Sequence, residues 1–244
     1  MPTDTMAQTW LALLTANLLA EFVFARQGKA AAFILHIGVV GVLVTLALGG
    51  WQWLPVAVLA AAHLAGPLID RLAGSQLRRL LLRQVIQVGA ISGAAMAVPD
   101  ALATGWGSLL PAAHLPFLLA SFTLIAGAVI NLKVGGRVVA GAVGPLRAQV
   151  PADLIDGLPR GSAMIGWLER GLVMLLVLVG QASGVGFLMT AKAILRFSDA
   201  SNTDHRKASE YIIIGTFISF GWGLASAFGT LWALHYWLPW LAAP

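Results

Sequence analysis

Glu21, His36, His63 and Asp70 are the residues of this chain best suited to chemistry. Two imidazoles and two carboxylates form the donor set that a divalent ion such as zinc takes up. A histidine beside a carboxylate is equally suited to relaying a proton near neutral pH. Asn17 stands four residues before Glu21 and shares its helical face, and His63 and Asp70, seven residues apart, share another. No motif as specific as His-Glu-x-x-His is present, so a metal or proton site rests on residue type and on common depth. The competing reading pairs Asp70 with Arg71 or Arg78 and makes both histidines hydrogen-bonded packing residues.

A second group lies further along: Glu169, Arg170, Lys192, Arg196, Glu210 and Tyr211, with Thr216 and Ser219 beyond it. Lys192 and Arg196 fall on one helical face at four-residue spacing. Glu169 and Arg170 are expected to open the sixth helix and Glu210 the eighth, where its charge suits the N-terminal end of the helix dipole. These opposite charges can neutralise one another. Alternatively Arg170, Lys192 and Arg196 hold an anion, such as a phosphate of the lipid head groups.

The elements that position these groups follow from composition. The chain has 244 residues, 59% hydrophobic and 10% charged, with a mean hydropathy of +0.84. A soluble domain of this size carries about 25% charged residues, so lipid must cover most of this surface. The net charge of +5 does not point to nucleic acid, because the basic residues are spread between long apolar runs and form no basic tail. Absence of cysteine excludes disulfides and thiolate metal sites. Residues 1–8 lack the basic start of a cleavable signal, so the first apolar run is read as a retained helix.

A membrane span takes about 20 apolar residues. The pattern predicts an all-α transmembrane bundle of about eight spans (seven if the sixth and seventh are one broken helix), at 9–25, 30–48, 54–72, 80–98, 116–134, 165–179, 184–197 and 211–232. Lys and Arg gather in alternate connections, as cytoplasmic loops do. Arg26 and Lys29 follow the first span. Arg71, Arg78, Arg79 and Arg83 follow the third, Lys133, Arg137, Arg147 and Arg160 the fifth, and Arg196, Arg206 and Lys207 the seventh. The other connections hold Trp51, Trp53, Trp106 and the Trp-rich C-terminal end, as an aromatic belt would. Both termini are therefore expected away from the cytoplasm. Counted at about 1.5 Å per residue from the basic ends, Asn17, Glu21, His36, His63 and Asp70 share the cytoplasmic half, where ionisable groups are costly and by default functional. The stretch 133–160 is expected to be a loop, part of it lying along the membrane surface as an amphipathic segment. Its glycine run 135–141 follows no strand and lacks a P-loop lysine, which excludes a nucleotide site. Small residues at four-residue spacing, Gly89, Gly93 and Ala97, set up close helix packing, within the chain or between copies of it.

Two sets of strings resemble a known group of small bacterial membrane proteins, the domain-of-unknown-function 3307 family. The first is Asn17-Leu-Leu-Ala-Glu-Phe22, His36 and His63-Leu-Ala-Gly-Pro-Leu-Ile-Asp70. The second, similar to the C-terminal extension of the longer members, is Ile165-Gly-Trp-Leu-Glu-Arg170, Ala191-Lys-Ala-Ile-Leu-Arg-Phe197 and Glu210-Tyr-Ile-Ile-Ile-Gly-Thr-Phe-Ile-Ser219. The resemblance implies a four-helix membrane domain over residues 1–100 and a membrane extension over 101–244, in a bacterial cytoplasmic membrane. The family's first helix typically has His-x-x-x-Asp-Phe where this chain has Asn17 and Glu21, and it brings no established activity. Three functions stay open: an ion- or proton-coupled transporter or channel, an accessory membrane subunit, and a membrane-embedded metal-dependent hydrolase of a lipid-linked or phosphorylated substrate. The first two are ranked ahead, because no nucleophile elbow is visible.

Overall fold

The computed structural model describes residues 4–24, 30–151, 161–197 and 206–242; for 30–32, 195–197, 206–207 and 242 it describes the backbone alone. Every regular element among them is helical. The α-helices are α1 (Thr5–Phe22), α2 (Ala30–Leu48), α3 (Trp53–Leu64), α4 (Gly66–Leu72), α5 (Gln76–Ala97), α6 (Ala101–Thr104), α7 (Trp106–Leu109), α8 (Leu115–Val129), α9 (Gly135–Arg147), α10 (Gly161–Leu178), α11 (Gly184–Phe197) and α12 (Arg206–Trp237). Among the described residues five stretches are long and apolar enough to cross a membrane: Trp53–Leu72, Gln76–Ala97, Ala112–Arg147, Gly161–Leu178 and Ala208–Trp237. Phe33–Leu48 and Gly184–Ile194 are shorter apolar helices. Leu72, Met96, Phe187 and Trp232 are each more than 70% exposed, which suits a surface covered by lipid.

Caps explain where the helices start. The Asp4 side chain accepts from the Ala7 backbone N–H at 3.1 Å and starts α1 four residues before the expected position. The Ser75 hydroxyl accepts from Arg78 N–H at 3.2 Å and starts α5 at Gln76, so Arg78, Arg79 and Arg83 are helical residues and not loop residues. Between α3 and α4 the chain breaks at Ala65. Pro67, at N1/N2 of α4, lacks an N–H, and its ring crowds the carbonyl four residues back, which belongs to His63. The expected loop 133–160 is helical as far as Arg147: α8 runs through a π-helical turn, Ile130–Val134, into α9. Residues 152–160 of that loop, like Arg26 and Lys29, lie outside the described residues. The sixth and seventh expected spans are separate helices, α10 and α11, joined by a turn at Gly180 with φ +75°.

The chain forms two compact units, Met1–Val129 with Trp232–Pro244, and Ile130–Leu231. The first unit extends past residue 100 because α8 packs on α1 and the Thr15 hydroxyl reaches the Phe122 carbonyl. In the first unit α1 is central. It packs against α2, α5, α6 and α8 and buries polar Gln8, Thr9, Thr15, Asn17 and Glu21 along with its leucines and alanines. A helix that is buried around most of its circumference needs no lipid-facing stripe. Gly49 (φ +78°) and Gly105 bring the end of α2 against α7, where a Cβ on Gly105 would lie 1.9 Å from the Leu48 carbonyl oxygen. Gly105→Ala is therefore expected to cost more than about 3 kcal/mol, read as a fall of roughly 5–10 °C in thermal unfolding of the detergent-solubilised chain. In the second unit α10, α11 and α12 close over Val173, Val185 and Phe220.

Candidate functional site

The site in the first unit is built by α1, α2, α3 and α5. Asn17 and Glu21 project from one face of α1, His36 from α2 and His63 from the last turn of α3; all four are buried. His36 Nε2 lies 3.2 Å from His63 Nδ1, and His63 Nδ1 lies 3.5 Å from Glu21 Oε2. One ligand atom from each of Glu21, His36 and His63 lies within 4.8 Å of the others, and among the described residues these three form the group that could hold a metal. Donors bound at about 2.0–2.1 Å around a tetrahedral zinc stand about 3.3 Å apart. Both measured separations are close to that edge.

A ring of amides holds this group in place, and each fixes the orientation of the next. Gln84 Nε2 donates to Gln87 Oε1 at 3.0 Å, and Asn17 Nδ2 donates to the same oxygen at 3.2 Å. Gln87 Nε2 then points to Glu21 Oε2 at 3.5 Å, and Asn17 Oδ1 is left as the acceptor for His63 Nε2 at 3.1 Å. A neutral His63 therefore carries its proton on Nε2 and presents the lone pair of Nδ1 to Glu21. The Nδ1 lone pair can accept from His36 Nε2–H at 3.2 Å or serve as a ligand to a cation held beside the Glu21 carboxylate. This arrangement is the outer support that a metal-bound histidine has. Asn17 does not need to be a ligand, because it acts on His63 from behind.

Arg83 and Asp70 complete the electrostatics. Arg83 Nη1 donates to Glu21 Oε1 at 3.2 Å, and Nη2 is paired with Asp70. Arg83 therefore joins the carboxylate of the cluster to the carboxylate of α4. Asp70 itself is corrected from candidate ligand to ion-pair partner. Its side chain is 42% exposed and paired with Arg83, and it is not among the three residues whose ligand atoms converge. Sequence reasoning treated Arg83 only as a loop marker and passed over Gln84 and Gln87. The readable signal was a buried amide in an apolar helix, Gln87, one turn after an arginine.

The second expected cluster divides between two roles. Lys192 Nζ pairs with Glu169 Oε2 at 2.7 Å, and lies 5.6 Å from the centre of the Phe220 ring. Arg170 is buried and binds neutral oxygens: Nε donates to Asn131 O at 3.0 Å, Nη1 to Ser219 Oγ at 3.1 Å and Nη2 to Leu132 O at 3.1 Å. Two of these acceptors belong to the π-helical turn, and Trp222 Nε1 reaches a third carbonyl of it, Ile130, at 3.0 Å. Gly135 admits the indole, since a Cβ there would lie 2.5 Å from Trp222 Cδ1. Tyr211 and Thr216 line a cavity with Arg170 and Lys192. Glu210 opens the second turn of α12 outside that lining. The Arg196 side chain lies outside the described residues.

Apolar helices and converging buried donors define a helical protein with membrane-length segments and a His/Glu polar centre that could hold a metal ion. Comparison of the chain with family models, curated proteins and solved structures finds no match.

Proposed function

We propose that this chain is an eight-spanning protein of the bacterial cytoplasmic membrane, with both termini outside, that binds a divalent cation of the zinc class between Glu21, His36 and His63 as the site of ion-coupled transport. Membership of the domain-of-unknown-function 3307 family, in its longer form, is part of this reading. It is supported by the strings around Glu21, His63, Arg170 and Glu210, and the eight spans by the alternation of the basic residues. The single observation that carries the cation is the convergence of three buried ligand atoms within 4.8 Å. The same donors, two His and one Glu with a fourth position open, also serve catalytic zinc. That makes a hydrolase of lipid-linked or phosphorylated substrates the second reading.

Elemental analysis of the purified full chain, wild type beside His36→Ala, tests the cation. About one zinc-class ion per chain in the wild type, and less than about a tenth of that in the variant, is the expected result, since a lost ligand costs more than the 10–100-fold of an outer partner. Metal far below one equivalent in both overturns the metal. The cation is then a proton shared along His36 Nε2 and His63 Nδ1, measured as a His36-dependent pH change inside proteoliposomes. Metal-dependent turnover of a chromogenic phosphoester, lost in His36→Ala, would select the hydrolase.

A further inference from the structure

A cavity of about 270 Å³ opens in the second unit between α9, α10, α11 and α12. Its lining takes in Arg147, Arg170, Lys192 and Tyr211 together with apolar residues such as Val139 and Ile165. Lys192 is already matched by Glu169. Arg170 is not matched in this way: the carbonyls and the hydroxyl that it contacts bear no charge, and three of its five N–H groups account for those contacts. Arg147 adds a further positive charge, so the lining holds two more cations than anions. At Gly136 and Gly166 a Cβ would come within 3.3 Å of the Arg170 guanidinium, so these glycines leave room beside its nitrogens. A buried guanidinium in a weakly screening surrounding draws an anion strongly, and guanidinium donors match phosphate oxygens.

We propose that this cavity binds a phosphate group, with the guanidinium of Arg170 as its anchor, Arg147 and Tyr211 at its rim, and the apolar walls beside whatever the phosphate carries. The source is either the head group of an anionic phospholipid, whose acyl chain lies along Val139 and Ile165, or a free phosphate. The site is in a different unit from the histidine cluster and stands or falls independently of it.

Native mass spectrometry of the full chain released from nanodiscs of phosphatidylethanolamine and phosphatidylglycerol reads the lipid arm. Thermal unfolding in neutral detergent with added inorganic phosphate reads the free-ion arm. Two variants locate the site: Val139→Trp, which fills the cavity without changing charge, and Arg147→Glu, which reverses one exposed rim charge. One phosphatidylglycerol retained per wild-type chain, with retention lowered about ten-fold in both variants, assigns a lipid head group. A phosphate-dependent rise in melting temperature that both variants abolish, with no retained lipid, assigns free phosphate. Neither effect in the wild type, or either effect undiminished in both variants while they melt as the wild type does, overturns the proposal.

Discussion

His63→Ala is expected to abolish cation binding by the first unit, lowering its affinity for zinc more than about 100-fold in a competition titration against a chelating dye. The side chain supplies one of three ligand atoms and joins the other two to the amide ring, through His36 Nε2 at 3.2 Å, Glu21 Oε2 at 3.5 Å and Asn17 Oδ1 at 3.1 Å. Asn17→Leu separates these roles. It removes no ligand, but it releases His63 Nε2 and with it the orientation of the ring, so a fall of about 10–100-fold is expected. Equal, undiminished affinity in both variants would mean that zinc binds elsewhere.

The second large effect belongs to Arg83. Arg83→Leu leaves two carboxylates without their guanidinium, and burial decides which of them matters. The Asp70 side chain is 42% exposed, so water screens it and its loss weighs little. The Glu21 side chain is 9% exposed and makes up most of the cost. Removing one partner of a buried pair costs about 3–5 kcal/mol, which corresponds to roughly 10 °C in thermal unfolding. Two additions should restore much of it: zinc, because it replaces the missing positive charge, and Glu21→Gln, because it removes the stranded negative one. A variant that melts with the wild type would show that Glu21 takes its compensation from elsewhere.

How much of this was legible in the sequence depends on what each residue reported. The apolar runs gave α2 and α11 their full extents, 30–48 and 184–197, because polarity changes sharply at both ends. Helical rise alone put Glu21, His36 and His63 at one depth, and the fold brings their ligand atoms together. Depth says nothing about direction, however: Asp70 pairs with Arg83 and stays outside the three converging ligands. Pro67 was visible, but the break before it at Ala65 was not counted. Starts at Asp4 and Ser75 depend on single side-chain caps that hydropathy does not register. Gly135 and Gly136 looked like loop residues because glycine usually ends helices. Here they are helical, and the space that they leave holds Trp222 and Arg170, a tertiary fact beyond any local pattern.

The break between α3 and α4 also makes Arg83 a shared currency between binding and shape. Arg83 divides one charge between Glu21, in the cluster, and Asp70, on the short helix that follows the break. On the proposed reading, a cation settling on Glu21 would compete with Arg83 Nη1 there while Nη2 keeps its pair with Asp70, and the hold on α4 would respond to occupancy. By linkage the relation runs both ways: pulling α4 outward draws Arg83 from Glu21 and raises the demand for a cation. A seven-residue helix with one charged tether is thus enough to report, at its own position, whether the buried centre is filled.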